Sequence, residues 1–322
     1  MRTIALEEHF ATATFMEGPG RVLRERRDLM VGRDLISSLL DVGRGRIQAM
    51  DEARIDVQVL SISSPGVEQL PPSDAVALAR SINDELRAAI RLHPDRLAGL
   101  ATLPTPDPAA AVEELRRAHE DLGFPGAAIN GHVRGRYLDD EVFWPVLAEA
   151  ERLRVPIYLH PTPPPPAVAG SYAGNYPAAV AAAFATSGWG WHVETAEHVL
   201  RLILSGAFDH YPALELVVGH LGELLPFMLP RFDQRFPRTM TKLERPVSAY
   251  LRENLHYTIS GFNWIPAFLD LLLEVGSDRI MFSADHPYAS MQEARAFLDG
   301  LPISDADREK IAHGNAERLY GY

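Results

Sequence analysis

Glu7 and His9 stand two residues apart at the end of a short apolar run, Thr3–Leu6. On an extended strand that spacing puts both side chains on one face. Three later apolar runs end in the same chemistry. VPIYL is followed by His160, LELVV by Gly219-His220-Leu221-Gly222-Glu223, and IMFS by Ala284-Asp285-His286-Pro287. Imidazoles and carboxylates converging from separate strands make an all-nitrogen-and-oxygen site for a divalent ion such as Zn²⁺, Mn²⁺ or Fe²⁺. Taken singly, each residue has a blander reading. A histidine at a strand end commonly serves as a structural hydrogen bonder, and an aspartate just before proline often only forms a turn. Their conjunction at four strand ends favours a site. Glu8 should point away from Glu7 and His9 and is left out of it.

Elements able to position these groups recur along the chain. Eight short apolar runs begin at Thr3, Val57, Leu97, Ala127, Val155, Leu214, Leu255 and Ile280. Such continuous runs suit strands buried on both faces, as in parallel sheets. Helical spacing fills the gaps, over 74–92, 140–153, 194–205, 265–273 and 291–298. Another helix is expected over 109–122, behind an Asp107 cap and Pro108. Strand and helix alternating eight times specify a single (β/α)₈ barrel of the TIM type over residues 1–322. The structural alternative is an open doubly wound sheet, but no glycine-rich dinucleotide turn follows any strand. Residues 161–192, beginning PTPPPP, read as a long irregular loop over the C-terminal mouth, where barrels place their active sites. A second Arg- and Pro-rich stretch spans 230–246.

Composition narrows the function. The 322 residues include no cysteine, which excludes disulfide scaffolds, thiolate metal sites and cysteine nucleophiles. A net charge of −12 argues against a nucleic-acid partner. No basic-then-apolar leader and no long apolar run is present, so the chain reads as cytoplasmic, with no membrane contact.

EEHF, LHP, GHLGE and FSADHP resemble the amidohydrolase-related decarboxylases across nearly the whole chain. That family includes the γ-resorcylate, 2,3-dihydroxybenzoate and aminocarboxymuconate-semialdehyde decarboxylases. NDEL at Asn83, PDRLAGLATLP and HGNAERLYG are similar to it as well, and Glu-x-His in place of the commoner His-x-His resembles its benzoate branch. The resemblance implies Glu7, His9, His160 and Asp285 as ligands of one divalent metal, Zn²⁺ or Mn²⁺. It implies a hydrogen-bonded His220–Glu223 pair beside the metal. Arg231 and Asp233 fall where the family has residues near a subunit interface, the Arg reaching the neighbour's site, which implies a homodimer or homotetramer. Binuclear relatives in the wider superfamily bridge their metals through a carboxylated lysine. Neither Lys242 nor Lys310, the only lysines, ends a strand, so one metal is expected.

The chemistry implied is loss of CO₂ from a hydroxybenzoate, an ortho-hydroxyl aryl carboxylate. Direct departure of CO₂ would leave a carbanion in the ring plane. Protonating the carboxyl-bearing carbon first avoids it, and Asp285 is the expected acid. His220, held by Glu223, would relay the proton or orient the substrate. Asn130, at the end of the fourth run, reads as a substrate hydrogen bonder or as a loop cap. His286 and Tyr288 are expected to line the substrate site and depart from the Trp and Phe of the γ-resorcylate enzymes. Arg21, Arg24, Arg26 and Arg27 read either as a lure for an anionic substrate or as a solvated face. The remaining histidines, such as His93, His119, His132 and His210, read as surface residues. The competing functions are a lactonase-like hydrolase, in which the metal would activate water, and a catalytically silent binding barrel.

Overall fold

Eight parallel strands pair in sequence order: β1 (Ile4–Phe10), β2 (Val57–Ile62), β3 (Leu97–Thr102), β4 (Gly126–Asn130), β5 (Ile157–His160), β6 (Leu216–Val218), β7 (Leu255–Thr258) and β8 (Ile280–Met281). A parallel bridge from Leu6 to Ser283 and a hydrogen bond from the Leu6 N–H to the Phe282 carbonyl, 3.0 Å long, close β8 onto β1. The computed structural model describes residues 1–25 and 34–321, which excludes Arg26 and Arg27 and the side chain of Arg24. The fold is the expected (β/α)₈ barrel.

Alternation along the strands divides the core in two. Ile4, Leu6, Val57, Val59, Leu100, Ala128, Tyr158, Val217 and Met281 fill the barrel interior. Ala316 and Tyr320, from the last helix, pack onto the same interior cluster. Gly126 makes room for this plug, because a Cβ there would lie 2.7 Å from the Tyr320 ring. The opposite faces of the strands, including Leu60, Ala101, Ile129, Leu159 and Val218, pack against the surrounding helices. The helix Pro72–Leu92, for example, turns Ala75, Leu78, Ala79, Ile82 and Leu86 inward at helical spacing. Among the described residues no helix is long and apolar enough to cross a membrane.

β1 carries Glu7, Glu8 and His9 at its end and runs on to Phe10. Two expectations need correction. The 161–192 stretch is not irregular throughout. It carries helices at Pro166–Ala169 and Ala178–Ala185, and the next helix already begins at Gly190. Proline in the first turn hid one of these, since proline lacks an N–H that position does not need. The 230–246 stretch is likewise partly helical: Leu225–Arg235 continues through Pro230.

Candidate active site

Strict alternation from Ile4 and Leu6 would turn Glu8 into the barrel and Glu7 and His9 out of it. The chain avoids this with a bulge. Ala5 pairs with Gln58, but Glu8 pairs with Leu60, so β1 holds one extra residue there. Glu7 occupies it in the left-handed region, with φ 57°. Beyond the bulge the phase is reversed, and Glu7 and His9 both join the interior cluster while Glu8 faces outward. Glu8 accepts hydrogen bonds there from Gln58 Nε2 and the Ala284 N–H, each 2.7 Å long. The buried Arg46 guanidinium donates to the His9 carbonyl at 2.7 Å and to Gln58 Oε1 at 3.1 Å, pinning β1 from behind.

Left-handed backbone recurs around the mouth, at His220, Leu221, Glu223, Leu224, Ser260 and Asp285. Non-glycine residues hold such a conformation at a cost of about 1–3 kcal/mol each. Its concentration at the ends of β1, β6, β7 and β8 marks where the fold gives up backbone comfort to aim side chains.

The aimed groups converge. Ligand atoms of Glu7, His9 and His160 lie within 4.8 Å of one another. His160 Nε2 is 3.5 Å from Glu7 Oε1, and His9 Nε2 is 3.2 Å from Asp285 Oδ1. Glu7 Oε2 accepts from the hydroxyls of Tyr158, Thr258 and Ser260, the Thr258 bond being 3.0 Å long. Glu7 Oε1 and both His9 nitrogens are buried without a hydrogen-bond partner. The His160 ring donates from Nδ1 to the Pro161 carbonyl at 2.7 Å, which leaves the Nε2 lone pair free toward the cluster. Burial pushes the His9 imidazole down to about 3 and the His160 imidazole well below its usual range, so both rings are neutral. Burial raises Glu7 to about 7, against the pull of His220. Neutral imidazoles with free lone pairs, two carboxylates and orphaned donor atoms fit a divalent cation. Asp285 is the most open of the four: its side chain is 18% exposed, against 1% for His9 and 7% and 0% for His160 and Glu7. Burial also raises Asp285 to about 7.

A second group adjoins the first. His220 Nδ1 donates to Glu223 Oε1 at 2.7 Å and turns Nε2 to within 3.8 Å of Glu7 Oε1. Burial alone would lower His220, but Glu223, Glu7 and Asp285 outweigh it and hold the imidazole up at about 10. Burial would raise Glu223, but His220 and His192 hold it below its usual range. His192, expected at the surface, is buried and donates to Glu223 Oε2 at 2.5 Å. These groups bond one another, whereas the Glu7–His9 group has atoms left over. That contrast separates a hydrogen-bonded network from a metal centre.

The other expected residues are dispersed. Asn130 is in register with His160 and so faces the mouth. Its buried amide makes no hydrogen bond of ordinary geometry, and its N–H donates to Glu68 Oε1 at 2.7 Å. The Tyr288 ring meets His9 edge-on at 5.3 Å, and its hydroxyl bonds Ser63 Oγ at 2.5 Å. The His286 carbonyl accepts from the His9 N–H at 2.7 Å, and His286 lines a cleft of about 310 Å³ with Asp34, Leu35 and Met291. Arg231 is exposed on Leu225–Arg235 and bonds Gln234, while Asp233 holds Ser248 through two hydrogen bonds. Not all the remaining histidines are at the surface: His132, His192, His198 and His256 are buried, His132 at 3% exposure. The Tyr158–Thr258–Ser260 clamp on Glu7 also escaped the sequence reading. Tyr158 carried a signal, as the one large polar residue inside VPIYL.

An eight-stranded parallel barrel with such a donor set at its C-terminal mouth defines a barrel metalloenzyme. This chain belongs to the amidohydrolase family, whose model, described as Amidohydrolase, matches residues 42–322. It is 39% identical to the γ-resorcylate decarboxylase of a Polaromonas strain and 40% identical to that of Rhodococcus jostii, each alignment covering 98% of both chains. A solved dihydroxybenzoic acid decarboxylase from Polaromonas, with bound manganese and the inhibitor 2-nitroresorcinol, superposes with a TM-score of 0.90 at 38% identity, covering 99% of this chain and 97% of that one.

Proposed function

We propose that this chain is a metal-dependent carboxy-lyase that removes CO₂ from a hydroxybenzoate without oxidation, giving the corresponding phenol. The observation that carries the reading is the buried Glu7–His9–His160 cluster with the more open Asp285 beside it, with donor atoms that make no hydrogen bond, in a chain alike along 98% of its length to γ-resorcylate decarboxylases. Those four residues hold one divalent ion, Mn²⁺ or Zn²⁺, and the manganese in the Polaromonas structure supports Mn²⁺ first. When bound, the ion supplies positive charge for the carboxylate and the ortho oxygen of the substrate.

The chain's own groups do the rest. Asp285, the cluster member most open to the mouth, delivers a proton to the ring carbon that bears the carboxylate. The bond from that carbon to CO₂ then breaks, its electron pair restores the aromatic ring, and solvent at the mouth reprotonates Asp285. His220, held through Nδ1 by Glu223, faces the substrate side with Nε2. Asn130, on the same side as His160 and beside the Glu68 carboxylate, bonds a ring substituent. Tyr288 lines the pocket beside His9, and His286 acts through its backbone carbonyl. Arg231 belongs to a subunit interface of a homodimer or homotetramer, a placement supported by its exposure next to apolar surface.

The test is release of CO₂ and phenol from a hydroxybenzoate panel by the Mn²⁺- or Zn²⁺-loaded protein, set beside ring opening of a lactone panel. Decarboxylation of an ortho-hydroxybenzoate is expected. Activity confined to the lactones would overturn the assignment.

A further inference from the structure

Glu223 has both carboxylate oxygens engaged, each by a different imidazole. His220, at the end of β6, takes Oε1. His192, which belongs to no barrel strand, takes Oε2. It sits in the first turn of the helix Gly190–Leu204, where the 161–192 segment ends. The other face of its ring is fixed too, since Nε2 meets the Ser187 carbonyl at 3.2 Å. Phe262, from the loop after β7, meets the His192 ring edge-on at 5.1 Å and the His220 ring at 5.4 Å. Two imidazoles thus hold one buried carboxylate, which is 1% exposed, and Phe262 packs against both of them.

The second imidazole has a physical consequence. With His220 as sole partner, Glu223 would keep one buried oxygen unsatisfied, at a cost of about 1–3 kcal/mol. It would also be free to swing about its terminal torsion, which is broad and weakly restrained in glutamate. A donor on Oε2 removes both problems. It fixes the carboxylate plane, that plane fixes the His220 Nδ1–H, and so the position of His220 Nε2 toward Glu7 is set from outside the barrel.

We infer that His192 is a positioning residue for the decarboxylation: by holding Glu223 Oε2 it aims His220 at the substrate and ties the 161–192 segment to the reacting centre. The inference rests on the functional reading above. His192 itself touches neither the four donors nor the ring carbon. A purely space-filling role makes a different prediction, because a phenyl ring would then serve as well as an imidazole.

The experiment compares wild type, His192→Phe and His192→Asn as full-length, metal-loaded proteins. Asparagine places its amide nitrogen close to where the histidine Nδ1 lies, so it keeps the donor to Glu223. With the hydroxybenzoate that wild type decarboxylates best, His192→Phe should lower kcat by about 10–100-fold while KM changes little, as expected for loss of an outer partner. His192→Asn should recover most of it, with bound metal and melting temperature alike in the two variants. Proton NMR gives a readout independent of turnover. The far-downfield imidazole N–H signals of the His192–Glu223–His220 chain should lose one member in His192→Phe and shift the other. Wild-type kcat in His192→Phe, equal losses in both variants, or unchanged downfield signals would each overturn the inference. If wild type decarboxylates no hydroxybenzoate, the functional reading falls, and the NMR comparison alone decides whether His192 positions His220. If Phe prevents folding, His192→Ala takes its place in every comparison.

Discussion

At the scale of single residues, the site is defined by which atoms lack partners. Glu7 accepts three hydroxyls on one oxygen and no hydrogen bond on the other, and neither buried nitrogen of His9 makes a hydrogen bond. A protein interior tolerates such groups only where something else satisfies them. Asp285→Asn removes the proposed acid but preserves the shape. Decarboxylation should fall by about 10²–10⁴-fold, the usual contribution of a general acid, with an unchanged circular dichroism spectrum. Retention of more than a tenth of the activity would remove Asp285 from that role. Ser260→Ala takes one donor from the carboxylate oxygen that faces away from the ligand side. Its effect should appear as metal affinity about 10–100-fold weaker in a chelator competition, with the apo protein nearly as stable as wild type. Equal affinity would mean that the hydroxyl clamp does not orient Glu7.

At the scale of elements, the site depends on how strand ends depart from regular geometry. The β1 bulge turns Glu7 and His9 inward together. Gly219, at the end of β6, leaves room for the result, because a Cβ there would lie 2.5 and 2.8 Å from the two Glu7 carboxylate oxygens. Its φ of −82° suits any residue, so Gly219→Ala isolates that contact. The variant should fold but bind Mn²⁺ far more weakly, as isothermal titration would register. Unimpaired binding would show that Glu7 can shift without loss.

These elements also mark what the sequence disclosed. The eight strands were legible because each contains a short, mostly apolar run buried on both faces. The helix at Pro108–Glu120 was legible because Asp107 caps it, accepting from the Ala110 N–H. The residues of the Glu7–Asp285 cluster stood out because all end such runs. The bulge was not legible, since Ile4 and Leu6 imply one phase and Glu7 and His9 the opposite one. His192 was hidden for a different reason. It lies after a Pro- and Ala-rich stretch whose helices show little amphipathic pattern, and only tertiary packing brings it to Glu223.

For the whole molecule, charge and surface pose the remaining questions. A net charge of −12 repels an anionic substrate at long range, so its capture rests on groups local to the mouth. On the helix Leu225–Arg235, Phe227 is 77% exposed near Arg231, with Met240 and Trp264 also open to solvent. Apolar surface of this kind commonly marks a protein contact. Phe227→Glu should therefore shift the protein toward monomer in analytical ultracentrifugation, and Arg231→Ala should weaken assembly or substrate affinity. If neither changes anything, the interface lies elsewhere. Stripping the metal should lower the melting temperature, since an ion at about a hundred times its Kd adds about 2.7 kcal/mol to the folded state.

Decarboxylation of a hydroxybenzoate at the proposed Glu7–His9–His160–Asp285 centre is tested by following CO₂ and phenol formation from ortho-hydroxybenzoates by the protein before chelation, after chelation and after readdition of Mn²⁺. One CO₂ per phenol, lost on chelation and restored by the metal, is the predicted result. Turnover indifferent to metal, or no CO₂ from any member of the panel, would contradict it.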